Sequence, residues 1–281
     1  YFMHKIFFSL IGGYKDIFKN PTTKKYKDGT RFEDIVELYY FDEILRQLFL
    51  RYIIKVENEL KSQVSYYFTE KYGESQNEYL DSVNYNYIGK KNQRDINKLI
   101  KILDGYVKES TDYNYINHAK RKHGNVPLWV LTNALTFGNI SKMYMLLQQD
   151  IQIKISKNYP CINERQMISI LTVMVKFRNV CAHGERLFTY KTNDSIPDLP
   201  IHKKMNIVRK GTQYVNGKND LFSIVIALMY LLNDEWFKEF INELKTLIDK
   251  YLSKHDSIEE QELYEKMGFP PNWKKITKYG K

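Results

Sequence analysis

Residues Phe177–Arg186 read Phe-Arg-Asn-Val-Cys-Ala-His-Gly-Glu-Arg, and this short stretch holds the side chains best suited to handling a phosphodiester. The arginine guanidinium is always charged and grips a phosphate with two parallel hydrogen bonds. Histidine is the side chain whose ordinary pKa lets it take or give a proton near neutrality. Arg178 and His183 together could therefore cleave RNA without a metal, with Asn179 orienting the imidazole or the phosphate and Arg186 holding a neighbouring phosphate. The spacing alone is weak evidence. With nine arginines and six histidines in 281 residues, random placement gives roughly 0.6 such pairs per chain.

The element that must position these groups is a helix. Asn163 and Gln166 have capping-box spacing, so a helix should begin near Glu164 and bury Met167, Ile170, Leu171, Met174 and Val175. Residues five apart lie about 140° from each other on a regular α-helix, whereas residues four apart share a face. Asn179 and His183 therefore fall on one side and Arg178 on another. Gly184 allows the backbone to unwind just after the histidine. The expectation is a helix that ends or distorts between Arg178 and Gly184 and brings Arg178, Asn179 and His183 to one cleft.

Upstream, Thr30 and Glu33 also have capping-box spacing, and apolar residues then recur at three- and four-residue steps from Phe32 to Phe68. This predicts a spine of about 40 residues closed by Gly73, as one long bent helix or two collinear ones meeting near Phe41-Asp42. Residues 4–18 suggest a short helix, with Ile6, Phe7, Leu10 and Ile11 apolar. Asp95–Tyr106 suggests another, and residues 74–93 form a polar stretch rich in Asn and Tyr. Asp112–Gly124 gathers His118, Lys120, Arg121, Lys122 and His123. A helix restarts at Asn125-Val126-Pro127, with Trp129 and Leu131 on a core face, and Gly138-Asn139 breaks it. Ser141 then caps a further short helix. The stretch after Phe188 is irregular up to Asp220, and Leu221–Leu252 is a helical pattern in two halves around Asn233-Asp234.

Composition sets limits on function. A formal charge of +10 and a pI near 9.2 favour a polyanionic partner, nucleic acid ahead of membrane, because the basic residues form small scattered clusters. Lys90, Lys91, Lys120, Arg121 and Lys122, with Arg186, are the candidate RNA contacts. A codon bias towards Lys, Asn, Tyr and Ile accounts for part of that charge and of the 23 tyrosines. Two cysteines without pattern give neither a disulfide framework nor a zinc site and fit a reducing cytoplasm. No apolar run reaches the roughly 20 residues of a membrane span. There is no phosphate-binding glycine loop and no metal-ligand spacing, so no cofactor and no metal is expected. The opening Tyr1-Phe2-Met3 suggests that residues precede it.

Several stretches resemble one family. Gly29-Thr30-x-Phe32-Glu33-x-Ile35-x-x-Leu38-Tyr39-x-Phe41-Asp42-x-x-Leu45-Arg46, then Val56-Glu57-x-x-Leu60-Lys61, then Pro127-Leu128-Trp129-Val130 with Leu135-Thr136-Phe137-Gly138, look like the Abi-2 family of AbiD/AbiF-like abortive-infection proteins. They stand in the family's order relative to Arg178-Asn179-x-x-x-His183-x-x-Arg186-Leu187, and the resemblance covers roughly residues 8–240. At the N-terminus Gly12 stands where a polar residue is expected before Gly13-Tyr14-Lys15.

The resemblance implies a HEPN-like, all-α helical bundle with a long spine helix and irregular insertions. It makes residues 1–281 one domain, with a motif-bearing core at about 120–255 and a loose basic tail at 268–281. It further implies a bacterial, cytoplasmic anti-phage toxin acting as a homodimer, a metal-independent endoribonuclease with Arg178, Asn179 and His183 as catalytic residues. Some relatives are held in check by a small structured non-coding RNA. The ribose 2′-hydroxyl would attack the adjacent phosphate and leave a 2′,3′-cyclic phosphate and a 5′-hydroxyl, which excludes DNA as substrate.

Plainer readings stand beside this one. A helix-end salt bridge and C-terminal cap would equally explain Arg178 and His183, and Glu57 could steady Arg178 or simply be solvated or ion-paired. The Lys120–His123 cluster could be a solvated charged turn. At the level of function, the alternatives are a non-catalytic RNA-binding module gripping a structured RNA and a scaffold in a defence operon.

Overall fold

The computed structural model describes residues 11–108, 111–254 and 258–281, and the chain is all-α apart from one two-residue hairpin. It divides into two compact units, residues 1–53 with 176–281 and residues 54–175. The divisions fall inside two helices, so neither unit coincides with residues 120–255.

The spine helix α1, Phe32–Tyr72, is a single uninterrupted helix of 41 residues, the first of the two forms expected. Ile35, Leu38, Phe41, Leu45, Phe49, Tyr52, Ile53, Val56, Leu60, Val64 and Phe68 are all buried, as their three- and four-residue steps require. Gly73, at φ +92°, turns the chain out of it. The start is one residue later than the capping box suggested. The Arg31 amide donates to Asp34 Oδ2 at 2.9 Å, so Asp34 and not Glu33 reaches back across the first turn. Asp34 takes this place because Phe32 is the first helical residue, which makes Arg31 the cap and Asp34 the third position.

In the first unit, residues 11–14 are helical and continue as a 3-10 turn, Lys15–Phe18. Ile6, Phe7 and Leu10 lie outside the described residues. The core of this unit is built on Leu221–Leu231, every residue of which is buried, and on Asp234–Leu252. Asn233 caps the second of these by accepting from the Trp236 amide at 2.8 Å, which is the division expected at Asn233-Asp234. Phe240 packs edge-on to Phe49 and Tyr52 at 5.2 and 5.1 Å, and Phe41 lies 4.6 Å from Tyr251. The irregular stretch holds a short helix, Pro200–Lys204, and the hairpin Arg209–Lys210 with Gln213–Tyr214.

The C-terminal segment is not a loose arm. Helix Glu260–Met267 ends at Gly268, and Trp273 and Ile276 of the 3-10 helix Trp273–Lys278 are fully buried, with Trp273 packed on Phe269 at 5.0 Å. Lys281 Nζ donates to the Leu232 carbonyl at 2.7 Å. Charge made this segment look solvated, but its aromatic and aliphatic residues decide its place.

In the second unit, the polar stretch at 74–93 is ordered by tyrosine hydroxyls. Tyr79 donates to the Val126 carbonyl at 2.6 Å and Tyr85 to the Tyr79 carbonyl at 2.7 Å, while the Gln76 amide donates to Asn125 Oδ1 at 2.8 Å and the Val126 amide to Gln76 Oε1 at 3.0 Å. The helix expected at Asp95–Tyr106 is longer, Lys90–Lys108, and Lys142 of Phe137–Leu146 meets its Asp95 at 2.8 Å. Thr136 caps Phe137–Leu146, so Gly138-Asn139 lie inside its first turn and do not break the chain, and Ser141 is buried within it. The actual break is the 3-10 turn Thr132–Ala134.

Candidate functional site

The motif helix runs Glu164–Ala182. Its start is the capping box read from sequence, with the Gln166 amide donating to Asn163 Oδ1 at 2.9 Å and the Asn163 amide to Gln166 Oε1 at 3.0 Å. At the other end the His183 amide still donates to the Asn179 carbonyl at 2.9 Å, a regular helical bond. The chain then closes with the Gly184 amide to Cys181 O at 3.4 Å and the Glu185 amide to Val180 O at 3.1 Å, with Gly184 at φ +69°. This is the paired C-terminal cap that only a residue tolerant of positive φ completes cheaply.

The helix therefore ends at Ala182, between Arg178 and Gly184 as expected, and is regular up to that point. Asn179 and His183 are exposed on one face, a turn apart, and Arg178 is half-buried about 140° round the axis from His183. The regular helix sets Asn179 and His183 on one side and Arg178 on another. Cys181, between them, is buried, and that burial pushes its thiol up to about 12, so it stays protonated and unreactive.

What fixes the exit from this helix is a buried polar clamp that sequence reasoning missed. Asp42 is fully buried and accepts from Tyr14 Oη at 2.7 Å, Arg46 Nη1 at 2.6 Å, and the Leu187 and Phe188 amides at 3.0 and 2.8 Å. Arg46 Nη1 also reaches the Glu185 carbonyl at 3.3 Å. Glu185, Leu187 and Phe188 are thus bonded to the spine, and Phe188 stacks on Tyr14 at 5.7 Å. Burial pushes the Asp42 carboxyl above its ordinary range, against the pull of the Leu187 amide, the Tyr14 hydroxyl and Arg46. Burial first, and the Asp42 charge second, hold Tyr14 above its own range, so its hydroxyl remains a donor. The signal was present in the sequence as the i, i+4 pair Asp42 and Arg46 on an apolar helix face, where a solvated pair has no reason to be.

The remaining candidates are dispersed. Arg186 is exposed, and its guanidinium is tied to the Gly13 carbonyl beside a cavity of about 470 Å³ that Lys191 and Lys266 also line. Lys90 and Lys91 are exposed in the first turn of Lys90–Lys108. Arg121 and Lys122 are exposed in the last turn of Asn114–His123, and Lys120 is half-buried. Glu57 is buried and ion-paired with Lys61 at 3.0 Å. Trp129 is not core: Leu131 is fully buried, but the indole is 43% exposed. The helix there is a single turn, Leu128–Leu131, too short to carry both side chains inward.

Among the described residues, no cluster of three or more His, Cys, Asp or Glu could hold a metal ion, and no helix is long and apolar enough to cross a membrane. Fold and site together define an all-α protein with an exposed Asn/His edge anchored by a buried acid–guanidinium clamp. The chain belongs to the Abi-like protein family, whose match covers residues 2–189 and so takes in the spine, the motif and the clamp. That membership implies a part in abortive-infection defence. No curated protein and no solved structure matches the chain.

Proposed function

We propose that this Abi-like protein is an endoribonuclease of HEPN type that cuts RNA through the 2′-hydroxyl and needs no metal. The observation that supports this most is the exposed Asn179–His183 edge, held at the end of a helix whose exit is bonded to the spine by Asp42. His183 removes the 2′-proton or protonates the leaving 5′-oxygen, and Asn179 orients it. The products are a 2′,3′-cyclic phosphate and a 5′-hydroxyl.

In-line attack needs one base and one acid, and each chain offers one motif histidine. Because the regular helix turns Arg178 away from His183, a second copy of the chain is the natural source of the missing partner groups, with Arg178 carrying the charge that develops on phosphorus. The reading is tested by incubating labelled RNA with the protein in EDTA and analysing the ends. Cleavage giving cyclic-phosphate ends, lost in His183→Ala, is the expected result. RNA bound tightly but never cut would instead leave a binding module.

A further inference from the structure

We propose that the cavity between helix Asn114–His123 and the turn Pro127–Val130 is a stacking site for a nucleobase of single-stranded RNA. The proposal rests on the RNA-cleaving reading above and adds where, outside the motif, the substrate strand is gripped. The cavity measures about 710 Å³, within the range of sites that take small ligands, and Tyr115, His118, Arg121, His123, Pro127 and Trp129 line it.

Two observations meet there. The first is aromatic: Trp129 and Tyr115, 43% and 40% exposed, both line this one cavity. Pro127, with ψ at 150°, sets the start of the one-turn helix so that Leu128 and Leu131 enter the core and the indole is left outside. The second is charge. Helix Asn114–His123 carries Lys120, Arg121, Lys122, His118 and His123 and no carboxylate, and Arg121 and Lys122 meet no carboxylate partner among the described residues.

A helix C-terminus favours basic residues, which would account for the charges but not for the aromatic wall facing them. Stacking between exposed rings beside a cationic rim is how unpaired bases are held, because every base has a flat face and every linkage a negative charge. The indole also borders a second cavity, about 650 Å³, lined by Ser62, Ser65, Tyr66, Thr69, Glu70 and Glu74. Glu70 there is already paired with Lys154 at 2.7 Å and no lysine or arginine lines that cavity, so the strand belongs on the Arg121 side. A phosphopeptide would use the cations but would gain little from the indole, which is why RNA is the assignment.

The test is fluorescence anisotropy with a labelled 2′-O-methyl oligouridylate, which cannot be cut, at one fixed salt concentration. Trp129→Ala should lose roughly ten- to a hundredfold in affinity, and Trp129→Phe should recover most of it. Arg121→Ala should weaken binding and lower the salt slope by about one. Binding by Trp129→Ala equal to that of the wild type, with an unchanged circular dichroism spectrum, overturns the proposal. So does a doubly phosphorylated peptide that displaces the probe at lower concentration than unlabelled RNA.

His183→Ala, run in parallel, separates the two readings. Cleavage lost in His183→Ala together with normal binding by Trp129→Ala removes the stacking site and leaves the nuclease. Weak binding by Trp129→Ala together with undiminished cleavage by His183→Ala removes His183 as the catalytic group and leaves the site.

Discussion

The Leu187 and Phe188 amides that Asp42 grips follow closely after the His183 edge along the chain, yet clamp and edge are built on opposite principles. At Asp42 every polar group is buried and bonded, with four donors converging on one carboxylate. At His183 and Asn179 the side chains face solvent on a helix end. A satisfied buried network fixes geometry and is costly to break, whereas exposed side chains stabilise little and remain available to a substrate. The difference teaches that the residues carrying the family resemblance divide into two kinds, those that hold the chain at the helix exit and those that the exit displays.

Substitutions can break that contrast. His183→Ala is expected to reduce RNA cleavage by about 10²–10⁴-fold while changing unfolding free energy by no more than about 0.5 kcal/mol. End-labelled RNA assays and urea titration measure the two quantities on one preparation. A large stability loss would show that the imidazole is structural. Asp42→Ala should do the reverse: removing one partner of a buried pair costs about 3–5 kcal/mol, read as a fall in the urea midpoint. A near-neutral result would mean that the clamp is not what secures Glu185 to Phe188.

A smaller effect is expected away from both regions. Gly268 has φ +76°, and a Cβ there would stand 2.3 Å from Asp220 Cγ, so Gly268→Ala should cost about 1–3 kcal/mol from backbone strain alone, with the clash adding to it. Thermal unfolding would detect this. A wild-type melting temperature would show that the C-terminal segment is not packed against Asp220.

The smallest effect is on pH dependence. His202 is fully buried; its Nε2 lies 2.8 Å from the Gly217 carbonyl and its Nδ1 accepts from the Leu199 amide at 3.1 Å, which fixes a neutral ring with the proton on Nε2. Burial lowers its pKa below the ordinary 6.5, so the unfolded chain takes up the proton first. Its contribution is complete above pH 6.5 and is lost as pH falls through the folded value. Asp220, capping Leu221–Leu231, works the other way. Burial raises its carboxyl from 3.8 to about 6, so its contribution is present below pH 3.8 and is lost as pH rises through about 6. Urea midpoints measured from pH 4 to 8 should therefore show His202→Gln flattening the acid side and Asp220→Asn flattening the opposing one. Unchanged profiles would remove both groups from the account.

Much of the fold was legible in the sequence because helices announce themselves locally. The Asn163/Gln166 box and the apolar steps of the spine each depend on residues within a turn or two, and both stand as read. The misreadings share one cause. Trp129 was placed inside because Leu128 and Leu131 are apolar neighbours, and the C-terminal segment was taken as loose because of its lysines, but in each case contacts distant along the chain decided the outcome. The tyrosine-rich stretch at 74–93 is ordered by carbonyls as distant as those of Val126 and Leu146, which no local pattern announces.

From the sequence alone came the all-α class, the spine, the motif helix and its cap, and the incompatibility of Arg178 and His183 with one helix face. Each follows from a backbone repeat that residues a few positions apart already impose. Only the tertiary structure decided that the helix stays regular through His183, and that Asp42 grips amides 145 and 146 residues further on. It alone left Trp129 in solvent opposite Arg121. A buried carboxylate takes whichever donors the packed chain delivers to it, and that delivery is a property of the whole fold.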